Sequence, residues 1–244
     1  MVRNPELHKL LEEGDIPVKQ RRSLSEETAD TLRELILTEK VAPGTAIPER
    51  DLAELLGISR TPMREAMRLL EIEGLIEYTA TRRPFVANPS FALITQYLAV
   101  IGSLEALGGQ LACDHATDEQ LAEISHLNTQ MHQTSDTEDP LNFFKLDMQF
   151  HTLIVAAGAN APLIETHRQY NGRLFRARFV SSRMRLKRAQ TLSQHQKITQ
   201  ALLSRDKQKT AFYLNEHLES AVDNIEKSYL AEQSGKNTDE KGDV

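Results

Sequence analysis

Two groups of side chains in this sequence have the types and spacing to do chemistry. The first is a set of potential metal ligands. Asp147 and His151 are four residues apart, so on a helix both project from one face. His195 and His217 each lie in a later amphipathic segment. Three imidazoles and one carboxylate suit a divalent transition metal, Zn²⁺ ahead of Ni²⁺ or Mn²⁺, with water or ligand oxygens completing the shell. Spacing alone does not decide it, because an Asp/His pair four apart also arises by chance.

The second group is basic. Arg60, Arg64 and Arg68 are four apart and fall close to one line along a helix, while Met63, Ala66, Met67 and Leu70 repeat at core spacing opposite them. An apolar back and an arginine front, after a short helix and a glycine turn, is the form of a recognition helix for the DNA major groove. An arginine fork pairs with O6 and N7 of guanine, and the hydroxyls of Ser59 and Thr61 suit phosphates at the helix N-terminus. A net charge of −6 excludes a general nucleic-acid coat, so any DNA contact is confined to one face.

The elements that must position these groups follow from periodicity and turn chemistry. A helix starts at Ser25, presents Leu32, Leu35 and Ile36, and ends before Ala42-Pro43-Gly44. A second runs from Pro48 to Leu56 with Leu52, Leu55 and Leu56 inward; Gly57-Ile58 turns the chain, and Ser59 caps a third that ends at Gly74. Leu75–Tyr78 and Pro84–Ala87 read as two short strands around Thr79–Arg83, a wing with Arg82 and Arg83 at its tip for phosphate or minor-groove contact. From Asn88 no strand pattern appears. Six helical segments are predicted, at Ser90–Ala112, Asp118–His132, Pro140–Ala156, Pro162–Arg183, Ala189–Ser204 and Lys207–Leu230. The first of these turns Leu98, Ile101, Leu104, Leu107 and Leu111 inward. The domains are then a flexible arm at 1–22, a DNA-binding domain at 23–88, a helical effector and dimerisation domain at 89–232, and a disordered tail at 233–244.

With 40% hydrophobic residues the chain can bury a core, and no run approaches the roughly 20 apolar residues of a membrane helix. No apolar secretory segment stands at the N-terminus, so the expected location is the cytoplasm. Cys113 is alone and reads as a small core residue. The basic run Arg173, Arg176, Arg178, Arg183, Arg185, Lys187 and Arg188 spreads around its helix, as solvated or paired charges do.

The stretch ERDLAELLGISRTPMREAMRLLEIEGLI, within Leu24 to Val86, resembles the winged helix-turn-helix signature of GntR-family bacterial transcription regulators. LDMQFH, LSQHQKI and NEHLES resemble the FCD effector domain of the FadR subfamily, in its shorter VanR-like branch. The resemblance implies a mainly α fold: a winged helix-turn-helix of three helices plus a β-hairpin, then an all-α six-helix FCD-type bundle. It implies DNA contacts at Arg50, Ser59, Arg60, Thr61 and Arg64, with the wing near Arg82 and Arg83, and a metal held by Asp147, His151, His195 and His217. It also implies a homodimeric repressor on a palindromic double-stranded operator, released or engaged by a small carboxylate effector.

Two departures stand out. Arg83 occupies the usual wing-tip glycine position, and Ile101 replaces a pocket arginine that meets the effector carboxylate. Asn171 and Arg178, seven apart on a face shared with His167, are candidates to substitute for that arginine. The alternative is a mononuclear metal-dependent enzyme in a helical bundle, since three histidines and a water can be catalytic.

Overall fold

The computed structural model describes residues 22–134, 139–182 and 185–239. The expected flexible arm, except for Arg22, lies outside the described residues, as do 240–244 of the expected tail and Arg183.

Helices α1 (Leu24–Leu37), α2 (Glu49–Leu55) and α3 (Arg60–Ile72) precede a hairpin of β1 (Ile76–Tyr78) and β2 (Pro84–Val86). The cap of α1 is Ser23 rather than Ser25. Ser23 and Glu26 close a reciprocal capping box, while Ser25 is buried and its hydroxyl donates to Glu65. Gly57 turns the chain between α2 and α3 at φ +65°, a backbone state that costs a side chain dearly. Met63, Ala66, Met67 and Leu70 on the back of α3 are fully buried. Leu55 and Leu56 are not inward as predicted: Leu55 is 82% exposed, and Ala53 fills the buried position. A helix of seven residues has room for only a narrow buried stripe.

The strands pair antiparallel with Ile76 opposite Val86 and Tyr78 opposite Pro84. Their turn is tied by Thr79, whose hydroxyl accepts from Arg83 N at 3.0 Å. The positive φ at the wing tip falls on Arg82, at +58°, and not on Arg83. A non-glycine residue therefore holds the left-handed state at the wing tip, beside Arg83.

Six helices follow: α4 (Phe91–His115), α5 (Asp118–Thr134), α6 (Pro140–Ala157), α7 (Ala161–Ser182), α8 (Arg185–Leu203) and α9 (Lys207–Asp239). The last runs past Gln233, where a disordered tail was expected to start. Helix α4 corrects a second expectation, because its 25 residues are long and apolar enough to cross a membrane by composition. Here it is the central helix of the bundle, with Ile94, Leu98, Ile101 and Cys113 buried. Leu107, predicted inward, faces out, and its place in the buried stripe goes to Glu105 and Ala106.

The DNA-binding and bundle cores are continuous. Leu141, Phe144, Met148 and Phe179 belong to the same buried cluster as Leu32, Met67 and Leu70. Phe144 meets Phe175 and Phe179 edge-on at 4.8 and 5.3 Å between centroids. At the end of the recognition helix the approach is backbone to backbone. A Cβ on Gly172 of α7 would lie 2.5 Å from the Glu73 carbonyl oxygen and 2.6 Å from its Cα. Arg176, one turn further along α7, pairs with Glu39 at 2.7 Å.

Candidate functional site

Asp147 and His151 on α6, His195 on α8 and His217 on α9 converge inside the bundle, all buried. One ligand atom from each lies within 4.8 Å of the others. Asp147 Oδ1 is 3.3 Å from His195 Nε2 and 4.0 Å from His151 Nε2. Ligand atoms on a Zn²⁺ tetrahedron with bonds of ~2.0–2.1 Å stand about 3.3 Å apart, so this spacing suits a cation.

The ring nitrogens support the same fit. Neither nitrogen of His195 has an aligned hydrogen-bond partner among the described residues, although the ring is wholly buried. Unsatisfied buried nitrogens are costly unless something ligates them. His217 Nδ1 donates to Gln194 Oε1 at 3.1 Å, and the Gln194 amide in turn donates to Ser220 Oγ at 2.8 Å. That chain fixes the tautomer and leaves the Nε2 lone pair for the cluster. Burial pushes the pKa of His195 and of His217 well below the ordinary value, and neighbouring imidazoles add to it. Neutral imidazoles are the form that binds a metal. The residues fit a divalent transition metal.

Beneath this cluster lies a charge network not foreseen from the sequence. Glu105 of α4 is buried, with Oε2 2.9 Å from His151 Nδ1 and Oε1 3.4 Å from His167 Nε2. Arg178 donates to Glu105 Oε1 at 3.1 Å and to Asn171 Oδ1 at 3.0 Å. Burial by itself would raise the Glu105 carboxyl, but His151 and Arg178 outweigh it and hold it well below the usual range. The signal was present: Glu105 is the only charged residue between Phe91 and Cys113.

A cavity of about 50 Å³ opens onto Asp147 and His217 and is also lined by Arg178 and Arg188. Arg188, from the basic run read as solvated or paired charges, is 6% exposed, with its guanidinium carbon 4.2 Å over the Phe143 ring. Of the two effector candidates, Arg178 lines this cavity, while Asn171 borders a separate cleft of about 730 Å³ between α1, α6 and α7. Ile101 is buried in an apolar cluster with Leu174, Ala177 and Ile225 and offers the cavity nothing polar.

At the other end of the molecule, Arg50, Arg60 and Arg64 surround one shallow concavity with Met63 at its floor. Arg50, Ser59, Arg60, Thr61, Arg64, Arg82 and Arg83 are all exposed. Ser59 stands at the N-cap of α3, yet its side chain makes no capping hydrogen bond. Among the described residues Arg64 has a distant partner, Glu49 at 3.9 Å.

Comparison with known proteins agrees with this arrangement. Residues 24–86 match the profile of bacterial regulatory proteins of the gntR family, and residues 96–220 match the FCD domain. The chain belongs to the GntR family. It is a ligand-responsive, DNA-binding transcription regulator with an FCD domain, and not an enzyme. It is 32% identical to an uncharacterised HTH-type transcriptional regulator in an unstable DNA locus of Streptomyces ambofaciens, over 80% of this chain and 82% of that one. It is 27% identical to the HTH-type transcriptional repressor NanR of Klebsiella aerogenes, over 82% and 84% of the two chains. The fold is that of Escherichia coli McbR/YncC, with a TM-score of 0.74 at 20% identity, covering 86% of this chain and all of that one.

The histidine shifts carry a sign. The folded values of His195 and His217 lie below the unfolded value of 6.5, so below that pH the unfolded chain binds more protons. Metal-free protein is expected to keep its full stability above about pH 6.5 and lose it as pH falls toward the folded values. Urea midpoints of metal-free protein measured across that range should drop on acidification, less steeply for a His195→Asn/His217→Gln variant. A midpoint that is flat, or that rises, contradicts the buried neutral imidazoles.

Proposed function

We propose that the protein is a cytoplasmic, homodimeric repressor. Its α3 helices enter the major groove at the two half-sites of a palindromic operator. One observation carries the DNA assignment: Arg50, Arg60 and Arg64 share an exposed concavity backed by a fully buried apolar stripe. Arg60 and Arg64 read bases, with Arg50 on phosphates or bases, and Ser59 and Thr61 hold phosphates at the helix N-terminus. Arg82 and Arg83 on the wing reach the adjacent backbone or minor groove. Two identical half-sites call for two identical reading heads at fixed spacing. Operator fragments selected in vitro from genomic DNA provide the probe. Arg64→Ala should weaken binding to them by about 1–3 kcal/mol at fixed salt if the arginine is bidentate to a base. Unchanged affinity removes that role.

The dimer has a candidate face. Leu93, Val100 and Leu107 are seven apart on α4 and 36%, 39% and 45% exposed, which makes an apolar stripe on the side of the helix away from its buried face. A Val100→Asp/Leu107→Asp variant should sediment as a monomer where the wild type sediments as a dimer. A variant that still sediments as a dimer sends the interface elsewhere.

Asp147, His151, His195 and His217 hold the metal, most naturally Zn²⁺, which fixes ligands in the bundle and offers open positions to effector oxygens. The effector is a carboxylate, and its binding shifts the balance between two placements of the DNA-binding domains. Elemental analysis should find metal in the wild type and none in the variant with all four ligands changed to alanine. Equal content in both sinks the metal assignment.

A further inference from the structure

We propose that the cleft between α1, α6 and α7 is a second ligand site, separate from the metal cluster, and that it takes a small uncharged aryl carboxamide or lactam.

Size and place come first. The cleft measures about 730 Å³, against about 50 Å³ for the cavity at the metal cluster. Pockets for small molecules run from roughly 300 to 1,000 Å³ and favour domain boundaries. This one lies on such a boundary. Leu37 of α1 lines it from the DNA-binding side, and Leu141, Val155, Ile164 and Phe175 line it from the bundle. None of the four candidate metal ligands is among its described lining residues.

Two nearly buried polar side chains give the cleft its selectivity. His167 and Asn171 are one turn apart on α7, 2% and 8% exposed, and both line it. Each is committed on one side. An arginine can only donate, so the Arg178 contact at 3.0 Å fixes Asn171 Oδ1 toward the guanidinium and leaves the NH₂ group to donate elsewhere. The ionised Glu105 carboxylate can only accept, so His167 Nε2, 3.4 Å from it, carries the proton. In the neutral ring Nδ1 then holds a lone pair. Neither that nitrogen nor the Asn171 NH₂ makes a hydrogen bond among the described residues. A donor beside an acceptor is complementary to an amide edge, whose C=O accepts and whose N–H donates.

The charges of the wall point to an uncharged ligand. Arg22 and Arg33 are answered by Asp30 and Glu73, and Arg168 by Glu165. Lys145 and Glu34 are left, both exposed and opposite in sign. The apolar wall then suits the ring that carries the amide.

The test titrates full-length protein calorimetrically at pH 8, where imidazoles of ordinary pKa are neutral. Benzamide is the probe, with N,N-dimethylbenzamide and benzoate as controls. Benzamide should bind, and each control should bind about 10-fold more weakly or worse, because both lack the N–H. Asn171→Asp keeps an oxygen for Arg178 but removes the donor, and it should weaken benzamide by about 10- to 100-fold. His167→Phe removes the acceptor and should do the same. Thr152→Trp changes an exposed residue of the wall, outside the Glu105 network, and should weaken benzamide by filling the cleft. Wild type stripped of metal by a chelator should bind benzamide as untreated protein does, which keeps the result independent of the metal assignment. The assignment is overturned if wild type does not bind benzamide, or if either control binds equally well. It is likewise overturned if Asn171→Asp or Thr152→Trp retains full affinity. Loss of binding on chelation overturns it too, by moving the ligand to the metal cluster.

Discussion

The bundle depends on one buried carboxylate. Glu105 projects from the most apolar helix of the chain and is met by His151 of α6 and by His167 and Arg178 of α7. Removing an ion from water costs several kcal/mol even after relaxation, so such a group persists only where its partners are well placed. Three helices are thereby pinned at one charged point, while the apolar contacts around it would tolerate sliding. The same carboxylate faces the ring of a candidate metal ligand and holds an arginine at the cavity wall, so the metal cluster and the cavity share one anchor.

The double-faced character of α4 explains its membrane-like composition. One side packs Ile94, Leu98 and Ile101 into the bundle, and the other carries Leu93, Val100 and Leu107 outward. A helix apolar all round normally means burial on all sides. The reading proposed for the dimer covers that second side by laying another copy against it.

Most of the architecture was legible because helices announce themselves by spacing and caps. Met63, Ala66, Met67 and Leu70 read as a buried stripe and are one. The four candidate ligands were singled out by the resemblance to the FCD motif, since an Asp/His pair four apart and two later histidines do not by spacing alone mark a metal site; the fold brings the four together. What stayed hidden depended on which way a residue turned within an already recognised helix. Glu105 looked like one letter of an apolar run, and Arg188 was diluted among seven basic residues that share no stripe. Leu55 and Leu56 misled because hydrophobic type was taken for facing: they stand at the C-terminal end of a seven-residue helix, off the narrow face that buries Ala53. The wing stands where its flanking strands were read, with Thr79–Arg83 as the turn, but which of its arginines takes the left-handed backbone state was not legible from residue types.

Gly172 has a consequence for how motion travels. Close-packed interiors have low compressibility and transmit strain from one element to the next. At Gly172 there is no side chain to give, and the peptide of α7 rests directly on the final turn of the recognition helix. A side chain placed there would force the two backbones apart, so the seating of α7 on the base of the reading head depends on this residue staying a glycine.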